Sequence, residues 1–227
     1  MYGEIYPESA WELARLGKIT SSEVYKLFTE PRSNADKAAG KLSTTAESYL
    51  LEKVGELLVG STRQLQTFAT DWGNQYEAEA IERLRSDYPD LEHYGNANRV
   101  FFPYTDFSGG SPDALLTPTL VGEIKCPENK INHVQNLLLN NEDDLFEAHP
   151  DYWYQLQMNM VCVARFYGIS ILDMKGLFVS YQPNFLNEKH QMKTIHVSPS
   201  LKFSTNLQTV IQRGENFMRG IIKTIGS

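Results

Sequence analysis

Two acidic residues and a lysine near the middle of the chain have a spacing that could support hydrolytic chemistry. Asp113 follows Pro112, and Glu123 and Lys125 come ten and twelve residues after Asp113. Side chains two positions apart on a β-strand project from the same face, so Glu123 and Lys125 would point together while Ile124 packs on the opposite face. A β-hairpin across the intervening residues would bring Asp113 beside them. The spacing therefore predicts that two carboxylates and one amine meet at the end of a sheet.

This combination suits metal-assisted hydrolysis of a phosphodiester. Mg²⁺ is usually held by one or two protein carboxylates, and waters and phosphate oxygens complete its coordination. The ion lowers the pKa of a bound water, while a lysine can orient or deprotonate that water and stabilise the transition state. The backbone carbonyl of Ile124 could add a ligand. The alternative is a surface Glu123–Lys125 pair on an edge strand, which is common by chance. The position of Asp113 adds weight to the catalytic interpretation, and both alternatives stay open on these residues alone.

A third carboxylate, Glu77, is expected on a helix over residues 71–86. The apolar residues of this helix recur every four positions, at Trp72, Tyr76, Ala80 and Leu84. Glu77 lies at the edge of that apolar face, where a carboxylate is unfavourable unless it is paired or binds a cation. Near the hairpin it could bind a second ion or hold the nucleophilic water. The alternative is a salt bridge to Arg83 or Lys125.

A second helix, predicted over residues 152–163, carries polar side chains on one face. Gln155 shares that face with Asn159 and Cys162. An amide can position water or bind a phosphate without adding charge. Taken alone, Gln155 is better explained as part of a polar helix face.

The elements around these residues predict an α+β fold in which helices flank a mixed central β-sheet. Strands are expected at 99–102, 114–116, 121–126, 166–172, 176–182 and 194–197. The second and third of these form the hairpin. Thr20 and Thr44 each precede a glutamate by three residues, which predicts two capped helices, and Ser204 can cap a final helix. Residues 31–41 are polar and are expected to form an exposed loop.

Composition fits a globular protein and narrows the function. The 227 residues are 41% apolar, which suits one domain over residues 1–227 with its own core. The net charge of −7 argues against a protein that coats nucleic acid through bulk charge, but not against an enzyme with a local basic surface.

Compartment signals point to the cytoplasm. No apolar run reaches the roughly 18 residues that span a bilayer, and residues 1–8 lack the features of a secretory signal. Two cysteines, Cys126 and Cys162, cannot build a disulfide framework, so we expect a reducing location without a membrane.

Six sequence blocks occur in a specific order, and together they carry a resemblance that none of them would carry alone. They are WELARLGKITSSE at 11–23, PRS at 31–33, WGNQYE at 72–77, GSPD at 110–113, GEIKCP at 122–127 and QLQ at 155–157. The series resembles the phage lambda exonuclease family, also described as YqaJ-type viral recombinases, within the PD-(D/E)XK nuclease superfamily. The resemblance implies a restriction-endonuclease-like core.

The resemblance also implies an activity and its partners. The expected function is a Mg²⁺-dependent 5′→3′ exonuclease that resects linear duplex DNA to 3′ single-strand overhangs for recombination by strand annealing. Two Mg²⁺ ions per site are expected, with Mn²⁺ as a substitute. The expected partners are 5′-phosphorylated duplex ends, a single-strand annealing protein and two further copies of the chain in a ring-shaped trimer.

Roles at the reaction centre follow from the same resemblance. Asp113 and Glu123 resemble the family's metal-binding carboxylates, with the Ile124 carbonyl as a further ligand. Lys125 resembles the catalytic lysine, and Glu77 the helix glutamate of the metal site. Gln155 resembles the glutamine near the reacting water.

Roles in DNA binding are implied in the same way. Arg15 and Ser22 resemble a pocket for the 5′-phosphate, with Ser111 nearby, and Arg32 resembles a further DNA-gripping arginine. The family places an apolar wedge just before the Trp-Gly block. Thr70 and Asp71 occupy that position here, and Phe68 is the nearby candidate for the wedge.

Other functions stay open on sequence grounds. A related restriction-like or repair endonuclease would share the residues around Asp113, although Arg15 and Ser22 favour the end-processing enzyme. A catalytically silent module that binds DNA ends is disfavoured because Asp113, Glu123 and Lys125 are all present. A nuclease with an iron–sulfur cluster is disfavoured because four cysteines are not available.

Overall fold

The computed structural model describes residues 4–6, 8–62, 68–95 and 98–226. These residues form an α+β structure with mixed sheets and flanking helices, which confirms the predicted fold class. The helices of this part of the chain are α1 Glu8–Arg15, α2 Asn34–Ala38, α3 Thr44–Val59, α4 Phe68–Leu84, α5 Lys130–Leu137, α6 Glu142–Ala148, α7 Pro150–Tyr167 and α8 Leu201–Ile225. The strands are β1 Glu4–Tyr6, β2 Ile19–Thr20, β3 Glu92–His93, β4 Arg99–Thr105, β5 Ser108–Gly110, β6 Ala114–Leu116, β7 Leu120–Lys125, β8 Lys175–Tyr181 and β9 Met192–Val197.

The larger sheet contains the predicted hairpin. Its strand order is β3-β6-β7-β8-β9, and β6 pairs with β7 in antiparallel register, with Ala114 opposite Gly122. β7 runs parallel to β8, and β8 runs antiparallel to β9. β8 is buried at every residue after Lys175, which explains why it reads as a nearly continuous apolar run. The hairpin is therefore an inner part of the sheet and not a surface edge.

The smaller sheet has the strand order β1-β4-β5-β2. β4 pairs antiparallel with β1 and with β5, and β2 adds to β5 in parallel. This sheet matters for the site because β4 begins at Arg99 and β5 ends at Gly110, one residue before Ser111.

Helix α7 lies at the centre of the core. It contacts strands of both sheets as well as α6 and α8, and it is buried from Gln155 to Ala164 except at Val161. Because both faces of the helix are enclosed, its polar side chains must find partners inside the protein. This constraint determines where Gln155, Gln157 and Asn159 point.

Helix α8 packs across α3 and the segment that follows α1. Its buried apolar residues are Phe203, Leu207, Ile211 and Met218. Gly214 permits close contact, because a Cβ at this position would lie 3.2 Å from side-chain carbons of both Ile19 and Leu50. None of the helices in the described ranges combines the length and the apolar character that a bilayer crossing requires.

The helix starts differ from the predicted caps. Ser43, not Thr44, caps α3 by accepting from the Ala46 N–H at 3.0 Å, and Ser200, not Ser204, caps α8. Tertiary contacts decide both cases: Ser43 bonds to Thr29, and the Ser200 N–H donates to buried Gln157.

The segment after Thr20 is a 3₁₀-helix, Ser21–Phe28, and the Thr20 side chain does not cap it. The backbone N–H of Thr20 donates to Tyr49 Oη at 3.1 Å, and Thr20 Oγ1 bonds to Ser22 Oγ at 3.2 Å. Thr20 is also paired with Gly109 as part of β2. The Thr20 hydroxyl therefore bonds to the Ser22 side chain and not to a backbone N–H of the helix.

Two further predictions about local structure were wrong. Residues 166–172 are not a strand: α7 continues to Tyr167 and ends at Gly168, which has a φ of +66°. Apolar residues there satisfied a strand pattern because the last turn of the helix is itself buried in part. Residues 31–41 are mostly exposed, as predicted, but they include helix α2, which Ser33 caps by accepting from the Asp36 N–H at 3.0 Å.

Candidate active site

The β6–β7 hairpin brings two carboxyls and one ammonium into contact. Lys125 Nζ lies 2.5 Å from Glu123 Oε1, as expected for two residues on the same face of β7. Asp113 precedes β6, and its Oδ2 accepts from the Ile124 N–H at 2.7 Å. The carboxyls of Asp113 and Glu123 are near enough that the charge of Glu123 raises the pKa of Asp113. The arrangement predicted from the sequence spacing is therefore present.

Burial makes this contact electrostatically strained. Glu123 is fully buried and Asp113 is partly buried. Burial raises the pKa of Asp113 well above its usual value, and the charges of Glu123 and Glu77 raise it further. Burial also raises the pKa of Glu123, although Lys125 opposes that shift. Two carboxyls in one buried place compete for a single positive neighbour.

For Lys125, the neighbouring charges favour the charged form of the side chain. Burial by itself would lower the pKa of Lys125, but the charges of Glu123 and Asp113 outweigh it and raise the pKa above the ordinary value. The ammonium also lies 5.0 Å from the centroid of the Tyr152 ring, where the face of the ring favours a cation. Lys125 is therefore held as a charged donor at neutral pH.

Asn159 on α7 supports Glu123 from behind. Its Nδ2 lies 3.5 Å from Glu123 Oε2, and the side chain is fully buried. Gly110 makes room for it, because a Cβ at residue 110 would lie 2.4 Å from Asn159 Oδ1. No role for Asn159 was predicted, although its position four residues after Gln155 on the same helix face was a signal in the sequence.

A cavity of about 230 Å³ opens over the carboxyls. Nine of the ten residues singled out from the sequence line it: Arg15, Ser22, Glu77, Ser111, Asp113, Glu123, Ile124, Lys125 and Gln155. The tenth, Arg32, is exposed in the segment before α2 and does not line the cavity. The predicted wedge, Phe68, belongs to the residues whose side chains lie outside the described part of the structure.

Glu77 reaches this cavity from α4, but its partner differs from both expected ones. Its Oε1 accepts from His93 Nε2 at 2.7 Å, in place of a salt bridge to Arg83 or Lys125. His93 stands on β3, the edge strand next to β6. No role for His93 was predicted from the sequence, because its pairing depends on how β3 joins the sheet.

The two glutamines of α7, Gln155 and Gln157, have different roles. Gln155 lines the cavity, whereas Gln157 donates to the Ser198 carbonyl at 2.7 Å and accepts from the Ser200 N–H at 2.8 Å. Gln157 therefore fixes the start of α8, and Gln155 is the glutamine available to a ligand.

The other end of the cavity carries positive charge and hydroxyl groups. The guanidinium carbon of Arg15 lies 4.1 Å from the centroid of the Trp11 ring, and Trp11 Nε1 donates to Ser111 Oγ at 3.1 Å. On the sequence alone, Arg15 could instead form a surface pair with Glu12 or Glu23. The structure pairs Glu23 with Lys26 and Lys53. Burial lowers the pKa of Arg15, yet a guanidinium stays charged at neutral pH.

The donor chemistry at the hairpin fits a divalent cation such as Mg²⁺. Asp113 and Glu123 offer hard oxygen ligands, and a second positive charge would relieve the repulsion that raises their pKa values. Within the described ranges, three His, Cys, Asp or Glu side chains do not form a ready cluster. A site of few protein ligands is typical of Mg²⁺, which keeps several waters or phosphate oxygens.

Comparison with known proteins places the chain among nuclease-like structures. A family model described as a YqaJ-like viral recombinase domain matches residues 10–165. LHK-Exo, an alkaline exonuclease from Laribacter hongkongensis, shares 22% identity over 96% of each chain with a TM-score of 0.72. A second structure of LHK-Exo, in complex with dAMP, gives the same identity and TM-score over 96% of this chain and 95% of that chain.

A phage related exonuclease from Haemophilus somnus shares 19% identity with a TM-score of 0.70, over 92% of this chain and 96% of that chain. At these identities the solved structures establish the fold. Among curated protein sequences, none matches this chain.

The strain between the two carboxyls can be measured without any substrate. A carboxyl with a raised folded-state pKa destabilises the fold as pH rises from its unfolded-state pKa, about 3.9, to the folded one. We expect Asp113→Asn to raise the free energy of unfolding of the cation-free protein at pH 7, because the amide cannot ionise and its oxygen can still accept from Ile124. Each pKa unit of relief contributes roughly 1.4 kcal/mol, or about 2–5 °C in a domain of this size.

Thermal unfolding in EDTA checks this expectation, with Asp90→Asn as the control because Asp90 is exposed. The advantage should shrink as the pH falls toward about 4, where the unfolded-state carboxyl protonates as well. A melting temperature for Asp113→Asn equal to or below that of the unmodified protein at pH 7 would contradict the account.

Proposed function

The chain belongs to the YqaJ-like viral recombinase family, and from this premise we propose that it is an exonuclease of double-stranded DNA. It would act as a single domain over residues 1–227, degrade linear duplexes from their 5′ ends and leave 3′ overhangs for strand annealing. One observation supports this proposal above the others: a single cavity is lined by the Asp113–Glu123–Lys125 cluster and by the Arg15, Ser22 and Ser111 side chains.

The carboxyls and the lysine have complementary roles in this proposal. Asp113 and Glu123, with the Ile124 carbonyl, would hold one Mg²⁺ and Glu77 a second, and the bound ions would polarise the phosphate and lower the pKa of an attacking water. Mn²⁺ would substitute because it accepts the same oxygen ligands. Asn159 keeps Glu123 oriented, since it reaches the carboxylate oxygen that Lys125 does not contact.

Lys125 and Gln155 would act on the water and the phosphate. The Lys125 ammonium would orient the water and stabilise the negative charge that develops on the phosphate. The neutral amide of Gln155 can donate to a phosphate oxygen and accept from the water without changing the charge of the site.

The polarity of digestion would come from the other end of the cavity. A terminal 5′-phosphate carries more negative charge than an internal diester, and an arginine can bind it through two parallel charge-assisted hydrogen bonds. Arg15 and the hydroxyls of Ser22 and Ser111 would receive that phosphate while the next diester lies over the carboxyls. Arg32, outside the cavity, would contact the duplex further along.

The wider biological setting belongs to the same proposal. The protein would work in the cytoplasm with a single-strand annealing protein, and three copies would form a ring around the duplex. The competing possibility is a restriction-like or repair endonuclease, which would use the same carboxyls and lysine but would not need the Arg15 end of the cavity. A catalytically silent DNA-end-binding module would not need the Asp113–Glu123–Lys125 cluster.

The first test of this proposal addresses the lysine. In the presence of Mg²⁺, Lys125→Met should keep the fold and slow digestion of linear duplex DNA by about 10²–10⁴-fold, because the aliphatic stem remains and the donor is lost. Lys125→Arg should also be slow, since a planar guanidinium cannot take the place of a compact ammonium without displacing the water.

Initial rates of nucleotide release provide the measurement, and Lys130→Met on the exposed start of α5 is the control. Near-normal turnover by Lys125→Arg would show that positive charge is sufficient at this position. Near-normal turnover by Lys125→Met would remove the lysine from the mechanism.

The second test addresses the direction of digestion. Linear duplex with 5′-phosphates should be digested faster than the same duplex with 5′-hydroxyls, and Arg15→Ala should remove most of that preference. A hydrogen bond to a charged group contributes about 1.5–3 kcal/mol, which corresponds to roughly ten- to hundredfold in rate. The hydroxyl end should be almost unaffected because it never made the contact.

Rates on the two ends are compared for the unmodified protein, Arg15→Ala and the control Arg85→Ala, whose side chain pairs with Glu82 on the surface of α4. Equal rates on both ends by the unmodified protein, or similar attack on closed circular DNA, would reject the 5′-end exonuclease and favour the endonuclease.

A further inference from the structure

A second cavity, of about 450 Å³, lies outside the candidate active site. It is formed by α6, the start of α7, the loop after β9 and the first turns of α8, and it shares no lining residue with the cavity over the carboxyls. We call it the α6–α8 groove. Its volume is in the range of cavities that hold one small ligand or a few side chains of a partner. Five aromatic side chains line it: Phe28, Phe146, Trp153, Tyr154 and Phe203.

The aromatic rings of this groove pack against one another without closing it. The Phe146 ring stands nearly perpendicular to the Trp153 ring, with centroids 5.0 Å apart, and the Trp153 ring stands in the same way to that of Phe203 at 6.0 Å. Phe203 is buried, whereas Phe146 stays 42% exposed. Exposed apolar surface beside a cavity is typical of a place where another molecule binds.

Two carboxylates flank the exposed ring on α6. Glu142 and Asp143 precede Phe146 by four and three residues, so both lie next to it on the helix surface, and both line the groove. The Ser198 N–H donates to Glu142 Oε2 at 2.6 Å and holds that side chain in place. Asp143 is exposed, and its carboxylate has no ion-pair or hydrogen-bond partner among the described residues. An aromatic face and a carboxylate both attract a cation, so this corner of the groove suits a basic side chain.

The charge around the groove argues against DNA as its ligand. Residues 131–164 contain five Asp and Glu residues and no Lys or Arg. Among the described residues that line the groove, Lys202 on α8 carries the one positive charge against two carboxylates. DNA phosphates would be repelled from this surface. A segment of protein that carries Lys or Arg beside an apolar side chain would match both the carboxylates and the rings.

We propose that the α6–α8 groove is a docking site for a segment of a partner protein that presents a Lys or Arg next to a large apolar residue. The basic side chain would lie over Phe146 and pair with Asp143 and Glu142, while the apolar side chain packs on Trp153 and Phe203. This role goes beyond the proposed hydrolysis of DNA. Because the groove and the active-site cavity have no lining residue in common, a partner can stay docked while DNA occupies the other cavity.

Three tetrapeptide amides test this assignment. The first has leucine and phenylalanine between two lysines, the second has glutamates in place of the lysines, and the third has serines in place of leucine and phenylalanine. Each carries an N-terminal trifluoroacetyl group, so that binding is measured by the broadening of its fluorine NMR signal. The protein variants are Asp143→Lys and Phe146→Ala. Their controls are Asp90→Lys and Leu172→Ala, which make matched changes at exposed residues outside the groove.

The unmodified protein should bind the basic apolar peptide about tenfold more tightly than either of the other two, because only this peptide matches both the carboxylates and the rings. Asp143→Lys should weaken its binding by about tenfold, since the charge beside the ring is reversed, and Phe146→Ala by about fivefold, since the ring is lost. Both controls should bind it as the unmodified protein does. Asp143 is exposed and makes no side-chain contact that the fold needs, so this variant decides the test if Phe146→Ala is destabilised.

Equal binding of the three peptides by the unmodified protein, or binding of the basic apolar peptide that Asp143→Lys leaves unchanged, would overturn the docking site. A change of molecular mass in light scattering caused by Asp143→Lys, without preferential peptide binding to the unmodified protein, would assign the groove to a second copy of the chain and overturn it as well. None of these results bears on the exonuclease proposal, which is tested on DNA with residues of the other cavity.

Discussion

The structure depends on one unfavourable contact: the carboxyls of Asp113 and Glu123 lie close together in a buried place, and the Lys125 ammonium is the positive charge beside them. Isolated carboxylates in such a place would separate or protonate. Here the backbone prevents separation, because the Ile124 N–H binds Asp113 and the β7–β8 pairing fixes the strand that carries Glu123. The raised pKa of Asp113 reflects this constraint. A divalent cation bound by both carboxyls would relieve this repulsion and could activate a water for hydrolysis.

The surrounding elements maintain this contact rather than relieve it. The buried middle of helix α7 places Asn159 against Glu123 and Gly110. Gln155, one turn earlier on the same helix, lines the cavity. Elsewhere in the cavity, the Trp11 ring contacts the guanidinium groups of Arg15 and Arg99, which carry positive charge. One cavity therefore has a negative end that suits a cation and a positive end that suits a phosphate, and this polarity underlies the proposed reaction on DNA ends.

Sequence patterns were sufficient where the chemistry is local. The period of two along β7 predicted the Glu123–Lys125 contact, and a hairpin of ordinary length predicted Asp113 beside it. Sequence patterns did not predict contacts that depend on a residue far away in the chain. Ser200 caps α8 because Gln157, 43 residues earlier, holds its N–H. Glu77 pairs with His93 because β3 joins the sheet next to β6. Arg99 contacts the same Trp11 ring as Arg15 because β4 packs on α1. No spacing of motifs in the sequence predicts that contact.

The most direct test of the central claim is cleavage of linear duplex DNA by the purified protein with Mg²⁺, compared with the same reaction in EDTA and with the Asp113→Ala variant. The account predicts nucleotide release only when the cation and both carboxylates are present, with a loss of several orders of magnitude in the variant and a fold that survives chelation, because a catalytic Mg²⁺ site is not a folding nucleus. Cleavage by Asp113→Ala at a rate near that of the unmodified protein would contradict it.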